Sequence, residues 1–266
     1  MEKGIITGAI APVKAEPSGA SEMTSELLFG ETIDVLETIN YWARVKNHFD
    51  QYEGWIDTRL FRNITHSFTS AVDPLISYSR DLSLDYRYVG SLSKLYLPMG
   101  AQFPSELWKQ DKDQNRLRLS IGQEQWEIQP SAIQSSNDLK GSFLDLCLFY
   151  LNTPYRWGGR SNWGIDCSGL VQMVFRSMGI SLPRDAHQQY LFGEPITDSE
   201  ENALAFFQNE EGKIIHVGIV LAERKILHAS GLVKIEDLTD SGIWDIRLGK
   251  ESHRLAGYRR LLKKVI

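Results

Sequence analysis

Two cysteines in 266 residues are too few for a disulfide framework, so a chain of this length must rest on its apolar core. Long apolar runs are missing as well. Nothing approaches the roughly 20 residues that a membrane-spanning helix needs. There is no excess of positive charge: 29 Lys and Arg against 34 Asp and Glu leave a net charge of -5, which argues against nucleic acid or an anionic membrane as a main partner. An export leader is not visible either. Met1-Glu2 is not basic, and the apolar stretch Ile5–Ala11 is short, interrupted by Gly8 and ended by Pro12. It continues into Val13-Lys14-Ala15-Glu16 with the alternation of a first strand, so the expectation is a folded start and a cytoplasmic protein. What is present is ordinary for a globular protein with a real core: 42% hydrophobic and 24% charged residues, at a length that predicts about two domains, or three if some are small.

The most informative stretch is Gly164-Ile165-Asp166-Cys167-Ser168-Gly169-Leu170. Leu170, Val171, Val174, Phe175 and Met178 follow at the spacing of one helix face, and Gly179 and Pro183 close it. Asp166 fits an N-cap, which puts Cys167 in the first turn. There the free N–H groups and the helix dipole favour a thiolate, the nucleophilic form of cysteine. A thiol so activated would react with iodoacetamide at mildly acidic pH. Cys147 lies in Leu146-Cys147-Leu148-Phe149 with no polar neighbour, and reads as a small buried hydrophobe.

Two histidines sit downstream in strand-like segments, Ile214–Leu221 and Lys225–Ser230, separated by the polar turn Ala222-Glu223-Arg224. A turn centred on 222 would set His216 and His228 opposite each other on one face of a hairpin. That is the geometry of a base oriented by a second group. His48, His66, His187 and His253 fit no such pattern.

These elements occur in order, and with Tyr155-Arg156-Trp157-Gly158-Gly159 and Leu182-Pro183-Arg184 they resemble the NlpC/P60 cysteine peptidases over roughly residues 138–262. The resemblance implies a papain-like α+β domain with Cys167 as nucleophile, His216 as general base and His228 as the orienting third member. It implies that Tyr155 and Trp157 lie at the site, and that Asp166 and Ser168 line the substrate subsite. Ala186 stands where the family often has Ser or Thr, so a substrate-contacting hydroxyl is absent. Asn202-Ala203-Leu204-Ala205 replaces the family's usual Gly-Asp-Leu before Phe206-Phe207, a change in a turn. No cofactor and no metal are expected, because the motif supplies its own nucleophile and two strand histidines lack the further ligands of a zinc site.

Residues 1–135 have another character. Thr32–Leu36, Trp42–Val45 and Gly54–Ile56 alternate apolar and polar residues between polar turns, as small barrels do. Leu28–Glu31, Tyr41–Val45 and Tyr52–Ile56 resemble a bacterial SH3-like domain. A weaker set follows, running from Gly90-Ser91 through Tyr96–Gly100 to Arg116–Leu119 and Trp126–Ile128. The expected layout is a first SH3-like barrel at 1–65, a divergent second at 66–135, and the peptidase domain at 136–266 after the polar junction 135–138. Trp55 is expected to point into the first barrel. This layout resembles the γ-D-glutamyl-L-diamino acid peptidases that recycle wall peptides. It implies a monomer acting on released murein stem peptides that begin L-Ala-γ-D-Glu, with Glu53 and Tyr88 reading the free amine.

Overall fold

The computed structural model describes residues 2–64, 75–76, 82–89, 91–111, 115–132 and 143–261. The expected junctions at 65/66 and 135/136, the polar stretch 135–138, His66 and Gly90 lie outside them. The chain forms two compact units, residues 1–140 and 141–266.

The first unit opens with a seven-stranded antiparallel sheet. Its spatial order is Met23–Leu28, Ile10–Lys14, Glu53–Asp57, Trp42–Asn47, Thr32–Ile39, Glu2–Ile6 and Phe61–Ile64. The period-two pattern does what alternation requires. Ile33, Val35, Ala43, Val45 and Ile56 turn inward onto Ile6, Val13 and Leu27. This is a small SH3-like β-barrel. Trp55 is 9% exposed, but Ile56, its neighbour on the strand, is the residue in the barrel core, so Trp55 lies on the opposite face and the expectation that it points inward is not met. A second, five-stranded sheet runs Ser91–Tyr96, Ser83–Tyr88, Glu124–Ile128, Arg116–Ile121, Lys109–Asp111. Its core of Leu84, Leu97, Phe103, Trp108, Leu119 and Trp126 also takes in Ile5 and Phe29 of the first sheet. The two strand sets therefore share apolar packing inside one unit.

The second unit is α+β. Helix α1 is Phe143–Phe149, α2 is Cys167–Arg176 and α3 is Ala186–Phe192. Seven antiparallel strands follow the order Glu194–Ile196, Lys250–Arg260, Leu204–Gln208, Ile214–Leu221, Lys225–Ser230, Leu232–Leu238, Gly242–Asp245. The long strand Lys250–Arg260 pairs at one side with Leu204–Gln208 and at the other with Gly242–Asp245, so the sheet closes on itself.

Helix α2 is more buried than an amphipathic pattern predicts: all ten residues are buried. Its polar side is covered too, and some of its polar groups find partners there. Gln172 Nε2 donates to Leu182 O at 3.0 Å, and Arg184 donates to Ser168 Oγ at 2.9 Å. The helix ends at Arg176, short of the predicted Met178, and Gly179 turns the chain with φ +75°. Gly169 lets the helix start lie against the preceding loop, where a Cβ would stand 2.3 Å from Gly159 O.

Candidate active site

Asp166 caps α2 as the sequence predicts, with Oδ1 accepting from Gly169 N at 2.7 Å. Its carboxylate does more than cap. Oδ2 accepts from Gly158 N at 2.9 Å, and Arg184 binds both oxygens, at 3.1 and 2.6 Å. Ser168 Oγ donates to Oδ1 at 3.3 Å. Asp166 and Arg184 are both buried, so this is a bidentate ion pair in low dielectric, with the geometry that repays desolvation. The pair ties the loop before α2 to the segment after it and fixes where Cys167 sits.

Cys167 is the first residue of α2 and is 5% exposed. The backbone N–H groups of Val217 and Ser168 aim at its sulfur. Val217 follows His216 directly, so the sulfur lies at the His216 strand. Tyr155, half-buried, is close enough that a negative charge on Cys167 would raise its phenol, although burial is the larger cause. Trp157 is exposed.

The expectation of a resting thiolate is not met. Burial and the nearby Asp166 charge push the Cys167 thiol up to about 12, against the lowering effect of the two amides and Arg184. The helix-start effect operates, but desolvation outweighs it. Cys167 therefore rests as a neutral thiol, and would need a base to act as a nucleophile. Cys147 is also buried, free and pushed up to about 12 by burial alone, with no such neighbours.

His216 and His228 are brought together, though not in the expected register. The strands span Ile214–Leu221 and Lys225–Ser230 as read, but pairing sets His228 opposite Gly218, not His216. The turn centres on 223, with Glu223 in the left-handed region at φ 55°. His216 lies two residues on, hence on the same face and diagonal. Gly218 carries no side chain between them. His216 Nε2 lies 2.9 Å from His228 Nδ1.

His228 Nε2 in turn lies 2.9 Å from Glu236 Oε2, on the next strand. Burial pushes the Glu236 carboxyl up, but hydrogen bonds from His228 and Lys234 outweigh it and hold the group below its usual range. An ionised carboxylate only accepts, so His228 Nε2 donates to it. His228 Nδ1 then accepts, and His216 Nε2–H donates to it. The lone pair of His216 is left on Nδ1. One buried carboxylate thus sets two tautomers in series and leaves His216 with a free basic nitrogen. Burial, and then the neighbouring His253, holds His216 well below its ordinary value, so it is neutral at pH 7.

Two members of this cluster escaped the sequence reading. Glu236 follows His228 by eight residues and is reached only through the strand pairing His228↔Lys234. His253 stacks on His216, with ring centroids 4.2 Å apart and planes at 27°. It comes from the strand that closes the sheet. The premise that only two imidazoles meet here therefore fails.

Glu53 and Tyr88 belong to the first unit. Glu53 stands exposed on Glu53–Asp57, with Arg44 at 3.6 Å and Lys46 at 4.0 Å. Tyr88 ends the strand Ser83–Tyr88 and is 49% exposed.

Comparison with known proteins identifies the domains. The NlpC/P60 family model matches residues 152–250. The C-terminal unit carries an NlpC/P60 domain. A model of the bacterial dipeptidyl-peptidase SH3 domain matches residues 14–59. The chain is similar to a gamma-D-glutamyl-L-lysine dipeptidyl-peptidase of Bacillus subtilis (strain 168), 45% identical over 96 residues. That match covers 34% of this chain and 32% of the relative, so the chain spans about a third of that protein's length. A dipeptidyl-peptidase 6 of Lysinibacillus sphaericus is 27% identical over 249 residues, covering 85% of this chain and 87% of the relative. The crystal structure of an NlpC/P60 family protein from Bacillus cereus superposes with a TM-score of 0.73 at 20% identity, over 97% of this chain and 99% of that one. It shares the fold.

Proposed function

We propose that this protein is a cysteine peptidase that hydrolyses the γ-D-glutamyl-L-diamino acid bond of murein stem peptides with a free N-terminal L-Ala, acting in the cytoplasm on released peptides. The observation that carries the catalytic part is the series Glu236–His228–His216, ending beside a buried Cys167 at the first position of α2. His216 Nδ1 takes the thiol proton as sulfur attacks the γ-carbonyl carbon. The tetrahedral adduct collapses as His216 returns that proton to the departing amine of the diamino acid, leaving an L-Ala-D-Glu thioester on Cys167. Water, deprotonated by the same nitrogen, hydrolyses the thioester and frees the thiol. The imidazolium formed at His216 in each half-reaction is stabilised through His228 by the Glu236 charge.

The bond is proposed from the two relatives named dipeptidyl-peptidases and from the matching SH3 domain. The proposed free-amine requirement places Glu53 and Tyr88 as its readers. The test is mass-spectrometric product analysis with L-Ala-γ-D-Glu-diamino acid peptides, free and N-acetylated. The reading predicts L-Ala-D-Glu from the free peptide and little turnover of the acetylated one. Equal cleavage of both would remove the recycling role and favour a hydrolase of intact wall. Cleavage at another bond would remove the proposed specificity.

A further inference from the structure

His216, His228 and His253 each offer a ring nitrogen, and these three atoms all lie within 4.8 Å of one another. The outer nitrogens are already engaged in the manner of a metal-binding shell. Glu236 holds His228 Nε2 at 2.9 Å, and Ser252 Oγ lies 2.8 Å from His253 Nδ1. The inner ligand atoms are therefore His253 Nε2 and the hydrogen-bonded pair His216 Nε2 and His228 Nδ1, 2.9 Å apart, whose shared proton a metal would replace. A carboxylate or hydroxyl on the far nitrogen of a ligating histidine is the arrangement that fixes ring orientation and raises basicity at metal centres. Among the described residues, Lys234 is the ammonium that faces the cluster. It is bound by Glu236 Oε1 at 2.8 Å and Asp245 Oδ2 at 3.5 Å, so two carboxylates outweigh it.

We propose that His216, His228 and His253 form a three-imidazole site for a divalent transition-metal ion such as Zn²⁺, and that occupation of the site switches the catalytic pair off. Imidazole ligands suit the borderline ions Zn²⁺, Co²⁺ and Ni²⁺. Zn–N bonds of about 2.0–2.1 Å in a tetrahedral site need nitrogens about 3.4 Å apart, a value between the 2.9 Å of the His216–His228 pair and the 4.8 Å that bounds the cluster. A water takes the fourth position. The switching follows from the tautomers. A metal on His216 Nε2 displaces the proton that His216 donates to His228, and neutral imidazole then carries its proton on Nδ1. That nitrogen is the one that must accept the Cys167 proton. The metal-loaded site therefore holds a neutral thiol and no base. No electron is transferred, and removing the metal restores the original tautomer. This inhibitory half rests on the cysteine-peptidase reading; the binding half does not.

The ordinary alternative is a metal on the Cys167 sulfur, so binding is measured without it. Co²⁺ is titrated into Cys167→Ala protein and followed by visible absorption, with thermal melting as a second readout. One ion per chain, d–d bands without a sulfur-to-metal charge-transfer band, and a raised melting temperature are expected. His253→Gln in the same background should weaken binding by at least the roughly 10- to 100-fold that loss of even an outer partner costs at metal sites. If His253→Gln is unfolded by circular dichroism, His253→Asn carries the same test. In protein with Cys167 intact, Zn²⁺ should inhibit and a chelator should restore the rate. His253→Gln, scaled to its own uninhibited rate, should keep its activity at the Zn²⁺ concentration that halves the parent's. No binding by Cys167→Ala, or binding by His253→Gln as tight as the parent's, overturns the site. Binding by the parent without inhibition overturns the switch. If the parent cleaves none of the peptides, the cobalt titration still decides the site.

Discussion

At the scale of single residues, the proposed chemistry turns on which nitrogen of His216 carries the proton, and Glu236 sets that from two rings away. Glu236→Gln keeps an acceptor for His228 but removes the charge that stabilises the imidazolium. It should lower kcat with little change in KM. Glu236→Ala also frees the tautomers and should cost more, approaching the roughly 10²–10⁴-fold expected for His216→Ala. Steady-state kinetics on one peptide checks the order, and a Glu236→Ala variant with unchanged kcat would remove the series. Alkylation tests the neutral thiol. Iodoacetamide labelling of Cys167 should be slow at mildly acidic pH and rise on the alkaline side, because burial holds the thiol up. A plateau of fast labelling at low pH would restore the thiolate expected from the helix start. The placement of Cys167 at a capped helix start and the meeting of His216 with His228 were legible because they rest on local patterns: a cap, a helix start and a hairpin. The protonation state was not, because it depends on how completely the folded chain excludes water.

At the scale of elements, both hairpin strands were legible to the residue, while their register was off by two: His228 faces Gly218, not His216. Glu223 and Arg224 both lie in the left-handed region, the turn centre moved from 222 to 223, and nothing in Ala222-Glu223-Arg224 announces which residues adopt it. Glu236 and His253 were illegible for a related reason: strand pairing and sheet closure bring them in. The buried histidines also set how the domain responds to acid. Burial lowers His216 and His228 in the folded state, while the unfolded chain keeps the ordinary value of about 6.5. Below that value the unfolded state binds protons that the folded state refuses, so stability falls as pH falls. The slope is up to about 1.4 kcal/mol per pH unit for each group. Urea midpoints should be steady above pH 7 and drop between pH 6.5 and 5. A flat profile through that window would mean these rings protonate without cost. The cap of α2 makes a separate prediction. Asp166→Ala leaves Arg184 buried without its carboxylate and should destabilise the domain by about 3–5 kcal/mol, read as a fall in the denaturant midpoint. A loss under about 1 kcal/mol would show that the pair does not anchor the helix start.

At the scale of the whole molecule, the α+β peptidase domain and the SH3-like β-barrel were readable from ordered motifs and period-two strands. The shared packing of the two N-terminal strand sets was not, since Ile5 and Phe29 look like residues of the first barrel alone. The proposed work of the N-terminal unit is to read the substrate amine. A charge-assisted hydrogen bond is worth roughly 1.5–3 kcal/mol, so Glu53→Gln should reduce turnover of free-amine peptide roughly 10- to 150-fold. It should change little with N-acetylated peptide. Equal effects on both substrates would show that Glu53 supports the fold and not the amine.

The measurement that reaches the central claim most directly is rapid acid quench of turnover followed by peptide mapping. The account predicts an L-Ala-D-Glu acyl group on the sulfur of Cys167 in the parent. It predicts no adduct and no product with Cys167→Ala, and an active Cys147→Ala. Continued cleavage by Cys167→Ala, or an acyl group on any other residue, would contradict it.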